Sequence, residues 1–188
     1  MPAPPPPEDL AGLSLAEIAE LAAARRLPPV ESWQPERTGD SAMRIARDGA
    51  WYHEGERIER PALVRLFSTI LRREPDGGFV LVTPAEKLAI AVEEAPFVAV
   101  ELASEGEGEA RRLAFRLNTG DLVVAGPGHG IRIEERDDGP HPYLHVRGSL
   151  DALIARAVFY ELAELALAEE SDPPGLWSDG AFFALAST

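Results

Sequence analysis

Lys87 is the only lysine among 188 residues; the other seventeen cationic side chains are all arginine. A lysine ammonium is a compact charge with a tunable pKa, whereas a guanidinium is flat and permanently charged, so a chain that uses arginine everywhere else marks Lys87 as a ligand-contact candidate. The plain alternative is one surviving codon on a solvated face. Lys87 follows Thr83-Pro84-Ala85-Glu86, which has capping-box spacing with proline at the first helical position. A short helical turn is therefore expected there, and its free N–H groups suit a phosphate or carboxylate.

The arginines divide by sequence context. Arg57, Arg72, Arg73, Arg111 and Arg112 lie among polar or loop residues and read as solvated, while Arg60, Arg116, Arg147 and Arg156 sit among apolar neighbours. A buried guanidinium needs an anion, either one of the chain's own 32 acids or a ligand. Alternation puts Arg116 and Asn118 on one strand face, and Tyr143, His145 and Arg147 on one face of another. Donors beside aromatics of this kind can hold a phosphorylated or nucleotide-like ligand by bidentate bonds, with Tyr143 or Trp51 stacking on a base.

Other chemistries lack their residues. There is no cysteine, and the four histidines form no convincing metal set, because Pro142 and the strand pattern separate His141 from a helical pairing with His145. Gly-x-Ser-x-Gly, Walker and His-Glu-x-x-His patterns are missing, and Gly126-Pro127-Gly128-His129-Gly130 reads as a plain loop. No catalytic residue, metal or cofactor is expected. The net charge of −14 argues against general affinity for nucleic acid or anionic membrane. Without a leader-like start or a long apolar run, the chain is expected in the cytoplasm.

These side chains must be carried by elements. Residues 1–9 read as a disordered proline-rich tail. Residues 10–39 form an N-terminal unit, with a helix capped by Ser14 and Glu17, a stop at Pro28-Pro29 and a connector around Trp33. Residues 40–93 are expected as a first lobe, with a strand pair turned at Asp48-Gly49 and a helix opened by Pro61. Residues 94–188 form a second lobe, mostly strand, with a long C-terminal helix beginning after Ser149. The fold class is α+β: two small lobes, mainly antiparallel sheet, with one packed helix each. The segment 44–49 echoes 132–139, and Asp48-Gly49-Ala50-Trp51-Tyr52 echoes Asp179-Gly180-Ala181-Phe182-Phe183, which raises a duplication and a groove between related lobes.

Several stretches together resemble an uncharacterised proteobacterial domain-of-unknown-function family. They are 43–55, Ile58 to Ser68, Leu81-Val82-Thr83-Pro84-Ala85-Glu86-Lys87, Ala95-Pro96-Phe97 and Trp177-Ser178-Asp179-Gly180-Ala181-Phe182-Phe183. The resemblance implies a duplicated α and β core, a C-terminal lobe like a pleckstrin-homology barrel plus helix, and a nucleotide-based ligand between the lobes in a signalling role. The leading expectation is a non-enzymatic regulatory protein binding a small anionic ligand through Lys87, Arg60, Arg116, Asn118, Tyr143, His145, Arg147 and Trp51. A protein–protein interaction module is the alternative, with a hydrolase or transferase of a phosphorylated substrate behind it. A protein partner and a homo-oligomer both stay open.

Overall fold

The structure, a computed structural model, describes residues 12–186; the tail expected over 1–9 lies outside them. Helix α1 (Leu15–Ala24) starts as its sequence requires, with the Ser14 side chain accepting from the Glu17 N–H and Glu17 reaching back to the Ser14 N–H at 2.8 Å. Leu15 and Ile18 pack on Ala114 of the second lobe. The chain then crosses to the first lobe through residues 25–36, where the Arg72 guanidinium donates to the carbonyls of Val30 and Trp33, both at 2.8 Å.

The first lobe comprises β1 (Arg37–Ile45), β2 (Trp51–His53), β3 (Glu56–Arg57), α2 (Pro61–Ser68), β4 (Leu71–Arg73), β5 (Phe79–Val82) and β6 (Glu86–Val92). The second contains β7 (Phe97–Glu105), β8 (Arg112–Leu117), β9 (Leu122–Val124), β10 (Ile131–Arg136), β11 (Gly139–Arg147), β12 (Leu150–Ile154) and α3 (Arg156–Ala168). A hairpin of β13 (Gly175–Ser178) and β14 (Ala181–Ala184) ends the chain. The sheet orders are β3-β2-β1-β6-β5-β4 and β10-β11-β12-β7-β8-β9. Numbered within its own lobe, each sheet has the same order: two three-stranded meanders joined by parallel pairing of the first strand with the last. The duplication is therefore one of topology. The sequence echo is something else, since it aligns the first turn of one sheet with the fourth of the other and with the β13–β14 turn; what those sites share is glycine at positive φ in a tight hairpin.

The lobes are not independent cores. Trp51, Leu71 and Ile90 of the first belong to one buried cluster with Phe97, Phe115 and Leu144 of the second, and Val158, Leu162 and Ala166 of α3 cover it.

Four expectations change. The segment 150–154 is strand rather than the start of the long helix, because Leu150, Ala152 and Ile154 point into the core at period two between β11 and β7. Thr83 to Glu86 make a tight turn instead of a helix, closed by the Thr83 N–H on the Glu86 carbonyl (2.9 Å), with the Thr83 hydroxyl accepting from Glu86 N (3.2 Å). The second sheet does not close into a barrel, since β9 and β10 are its two edges. The arginine division fails in both directions. Arg72 and Arg111, read as solvated, are 5% and 7% exposed because Glu74 and Glu169 respectively accept from their guanidinium groups; Arg60 and Arg156, read as inner, are exposed at the starts of α2 and α3.

Candidate functional site

A cavity of about 580 Å³ opens between the lobes. Its first-lobe wall is the β1–β2 turn with Trp51, the segment 57–59 and the face of α2 bearing Pro61, Val64 and Arg65, residues at three- and four-residue spacing. Its second-lobe wall is Arg116 of β8 and the turn Asn118-Thr119-Gly120. Asn118 fixes the separation of the walls: its amide donates to the Gly49 carbonyl at 3.0 Å and accepts from the Val98 N–H at 2.9 Å. Gly49 has φ +87°, and a Cβ there would sit 2.6 Å from the Asn118 amide nitrogen, so a bare backbone is required on both counts.

The lining carries three arginines and two acids. Arg116 pairs with Glu101 at 2.7 Å, but Arg57 and Arg65 make no ion pair among the described residues. Asp48 and Glu59 also line the cavity; Asp48 is turned to its own loop, accepting from the Ala50 N–H at 2.9 Å. Trp51 is 1% exposed and lies parallel to Phe67, with ring centroids 6.4 Å apart. That contact takes up one indole face, and its Nε1–H has no acceptor among the described residues. Thr119 is buried, and its hydroxyl donates to Asp121 at 2.7 Å, while Asp121 is held by Arg25.

Of the residues expected at a site, Trp51, Arg116 and Asn118 meet at this cavity. Arg60 lines an adjoining shallow recess that shares Arg57, Ile58 and Glu59 with it. Arg147 lines a neighbouring apolar cavity under residues 27–32, donates to the Ser68 carbonyl at 2.7 Å and lies over the Phe97 ring. Burial lowers its pKa to about 10.

The others go elsewhere. Lys87 on β6 pairs with Glu74 at 2.9 Å, in one network with Arg72. His145 faces Asp151 at 3.2 Å and lies near the His129 ring. Tyr143 donates to Glu94, on the segment joining the lobes, and Arg136 (3.0 Å) and His141 (3.2 Å) converge on the same oxygen. His141 also faces Asp138 at 2.9 Å, and Arg47 of the first lobe reaches Asp138 at 3.6 Å, so this cluster is a clasp between lobes. Burial pushes the Glu94 carboxyl up, but hydrogen bonds from Tyr143 and His141 with the Arg136 charge outweigh it and hold Glu94 below its ordinary value. Burial and the Glu94 carboxylate raise Tyr143. No group of three or more His, Asp or Glu side chains is placed so that it could hold a metal ion among the described residues.

Sequence reasoning missed Arg57, Arg65 and Arg25. Arg65 had a usable signal, its position on the Pro61–Val64 face of α2 rather than on the apolar stripe. Arg25 had none, because its place depends on α1 docking against the second lobe.

Two family profiles match the chain: "Domain of unknown function (DUF1285), N-terminal domain" over residues 28–95, and "Protein of unknown function (DUF1285), C-terminal domain" over 96–185. A crystal structure of a DUF1285 family protein from Silicibacter pomeroyi DSS-3 is 46% identical, with 91% of this chain and 95% of that chain covered and a TM-score of 0.80. A second DUF1285 family protein, from Shewanella baltica OS155, is 24% identical over 70% of this chain and 98% of that chain, with a TM-score of 0.54, a likeness of fold alone. No curated protein matches.

Proposed function

The chain belongs to the DUF1285 family, and from that premise we propose that it is a non-enzymatic regulatory protein whose inter-lobe cavity binds a small anionic ligand, with a nucleotide as the leading candidate and signalling as the role. The observation that carries this reading is a pair of arginines without acid partners, Arg57 and Arg65, on the wall of a cavity lined by both family domains. A volume near 580 Å³ suits a ligand of nucleotide size. Arg57 and Arg65 supply charge, and Arg116 supplies a directed fork steadied by Glu101. Binding without turnover is favoured because the one hydroxyl at the wall that touches a carboxylate, Thr119, meets an Asp121 already neutralised by Arg25.

The test is a thermal-shift screen of the full chain against nucleotides, cyclic mono- and dinucleotides and phosphorylated metabolites. A ligand at a hundred times its Kd adds about 2.7 kcal/mol, enough to raise the midpoint by several degrees. Arg65→Gln should remove the shift and Lys87→Ala should leave it. No shift with any compound sinks the reading. The protein-binding alternative draws support from Tyr160 and Leu167, which lie seven residues apart on α3 and are both well exposed, and a null screen would turn attention to that face.

A further inference from the structure

A second cavity, of about 330 Å³, lies under residues 27–32, where the connector from α1 passes over both lobes. Leu27, Pro28, Pro29 and Val30 line it from the connector, Leu71 from the first lobe and Leu150 from the second. The connector is pinned from behind. The Arg72 guanidinium donates to the carbonyls of Val30 and Trp33, both at 2.8 Å, and Arg72 is itself held in the network of Glu74 and Lys87. The space is therefore built before any ligand arrives.

Arg147 is the cation of this apolar lining. One of its terminal nitrogens donates to the Ser68 carbonyl at 2.7 Å, and the guanidinium lies 5.1 Å from the centre of the Phe97 ring. Its Nε and Nη1 make no hydrogen bond, and the group makes no ion pair, among the described residues. It is still a cation at neutral pH, since burial lowers its pKa only to about 10. The hydroxyls of Ser32 and Thr69 donate to the carbonyls of Pro29 (2.7 Å) and Leu66 (2.6 Å), so Arg147 is the one side chain of the lining with donors to spare. Glu31, the lining's one acid, is exposed and stands against Gly148, where a Cβ would come within 3.1 Å of its carboxylate. A half-buried guanidinium served by one carbonyl and a ring is poorly compensated, and its fork matches a carboxylate in two parallel bonds. One spare cation calls for one negative charge, and walls of leucine, proline and valine call for an apolar body. The volume lies at the small end of the range that ligand cavities span, which suits a single ring or a short acyl chain.

We propose that this cavity binds a small carboxylic acid with an apolar body, its carboxylate on Arg147 and its body between the connector and the two lobes. The site shares no lining residue with the inter-lobe cavity, so it stands or falls apart from the function proposed there. A bound acid would tie the connector to both lobes at once.

The experiment is calorimetric titration of the full chain with sodium octanoate and sodium phenylacetate, each against its neutral amide, on wild type, Arg147→Met, Val30→Trp and Arg65→Gln, all first examined for folding by circular dichroism. At least one carboxylate should bind the wild type ten times more tightly than its amide, weaken at least tenfold in Arg147→Met, be lost in Val30→Trp, which fills the cavity, and be unchanged in Arg65→Gln. Equal affinity for acid and amide, or an unchanged affinity in Arg147→Met, overturns the assignment of the charge. Should Arg147→Met not fold, the amide comparison and Val30→Trp decide between them. Binding that survives in Val30→Trp but is lost in Arg65→Gln would move the acid to the inter-lobe cavity and overturn the site, and so would silence from both carboxylates.

Discussion

In the first lobe the crossing from the third strand to the fourth is made by helix α2, whereas in the second the same crossing is a short loop over 125–130 and the helix follows the sixth strand. One strand order thus accepts its helix at two different points in the chain. The consequence is a division of labour. Placed at the crossing, α2 turns Pro61, Val64 and Arg65 toward the inter-lobe cavity. Placed at the end, α3 lays Val158, Leu162 and Ala166 over the shared core and leaves the second lobe to meet the cavity with the rigid turn at 118–120. The half-exposed wall carries the unpaired charge, and the hydrogen-bonded wall sets the spacing.

If the lobes share a core as closely as this, damage to one must unfold both. Phe115→Ala, at a fully buried second-lobe position, should cost about 4 kcal/mol in urea denaturation and raise amide exchange in β1 and β6 together with β7 and β8. Protection retained in β1 and β6 would mean that the lobes are separable. Next in size is the clasp. Glu94→Ala removes an 8% exposed carboxylate that serves Tyr143, Arg136 and His141, with an expected loss of about 3 kcal/mol.

The same clasp has a pH signature. The Glu94 and Asp138 carboxyls are held below their ordinary values, so their contribution is present above the unfolded carboxyl range near pH 4 and is lost as pH falls through the lower folded values. Stability should decline on acidification below about pH 5, and Glu94→Gln should flatten that decline. A slope unaltered in the variant would assign acid sensitivity to other carboxylates.

Asn118→Ala deletes one hydrogen bond that joins the lobes, to Gly49, and one within the second lobe, from Val98, and should cost about 1.5 kcal/mol by thermal denaturation. Smallest is Lys87→Ala, which breaks a partly exposed pair within the first lobe and should cost less than about 1 kcal/mol. A larger loss there would show the Arg72–Glu74–Lys87 network to be a structural equal of the clasp.

What could be read from sequence was what is settled locally. The Ser14–Glu17 cap, Pro61 at the start of α2 and the Asp48-Gly49 turn each act within four residues, and all form as expected. Leu150 to Ile154 fits either period: Leu150, Leu153 and Ile154 mark a helical stripe, while Leu150, Ala152 and Ile154 mark a strand. Only pairing with β11 and with β7, some fifty residues earlier in the chain, decides between them. Arginine burial was illegible for the same reason, since Arg72 is held by Val30 and Trp33, and the two terminal nitrogens of Arg111 by Ser104 and Glu169. The cavity was half visible. Trp51, Arg116 and Asn118 carry side-chain types and alternation that point to recognition, whereas Arg25 acquires its place only once a remote helix has docked.

The parallel pairing of first with last strand also dictates when each lobe can exist. β1 must wait for β6 to be made, and β7 for β12, so neither sheet can close its centre until nearly the whole lobe has left the ribosome. Such high contact order makes for slow folding. During synthesis the β1–β3 meander waits with the face of Met43, Ile45 and Trp51 uncovered, and the completed first lobe then waits again for Phe97 and Phe115. The chain should therefore depend more on chaperones while being made than its finished core suggests, and pulse-labelling of nascent chains stalled before and after residue 92 would reveal the first closure.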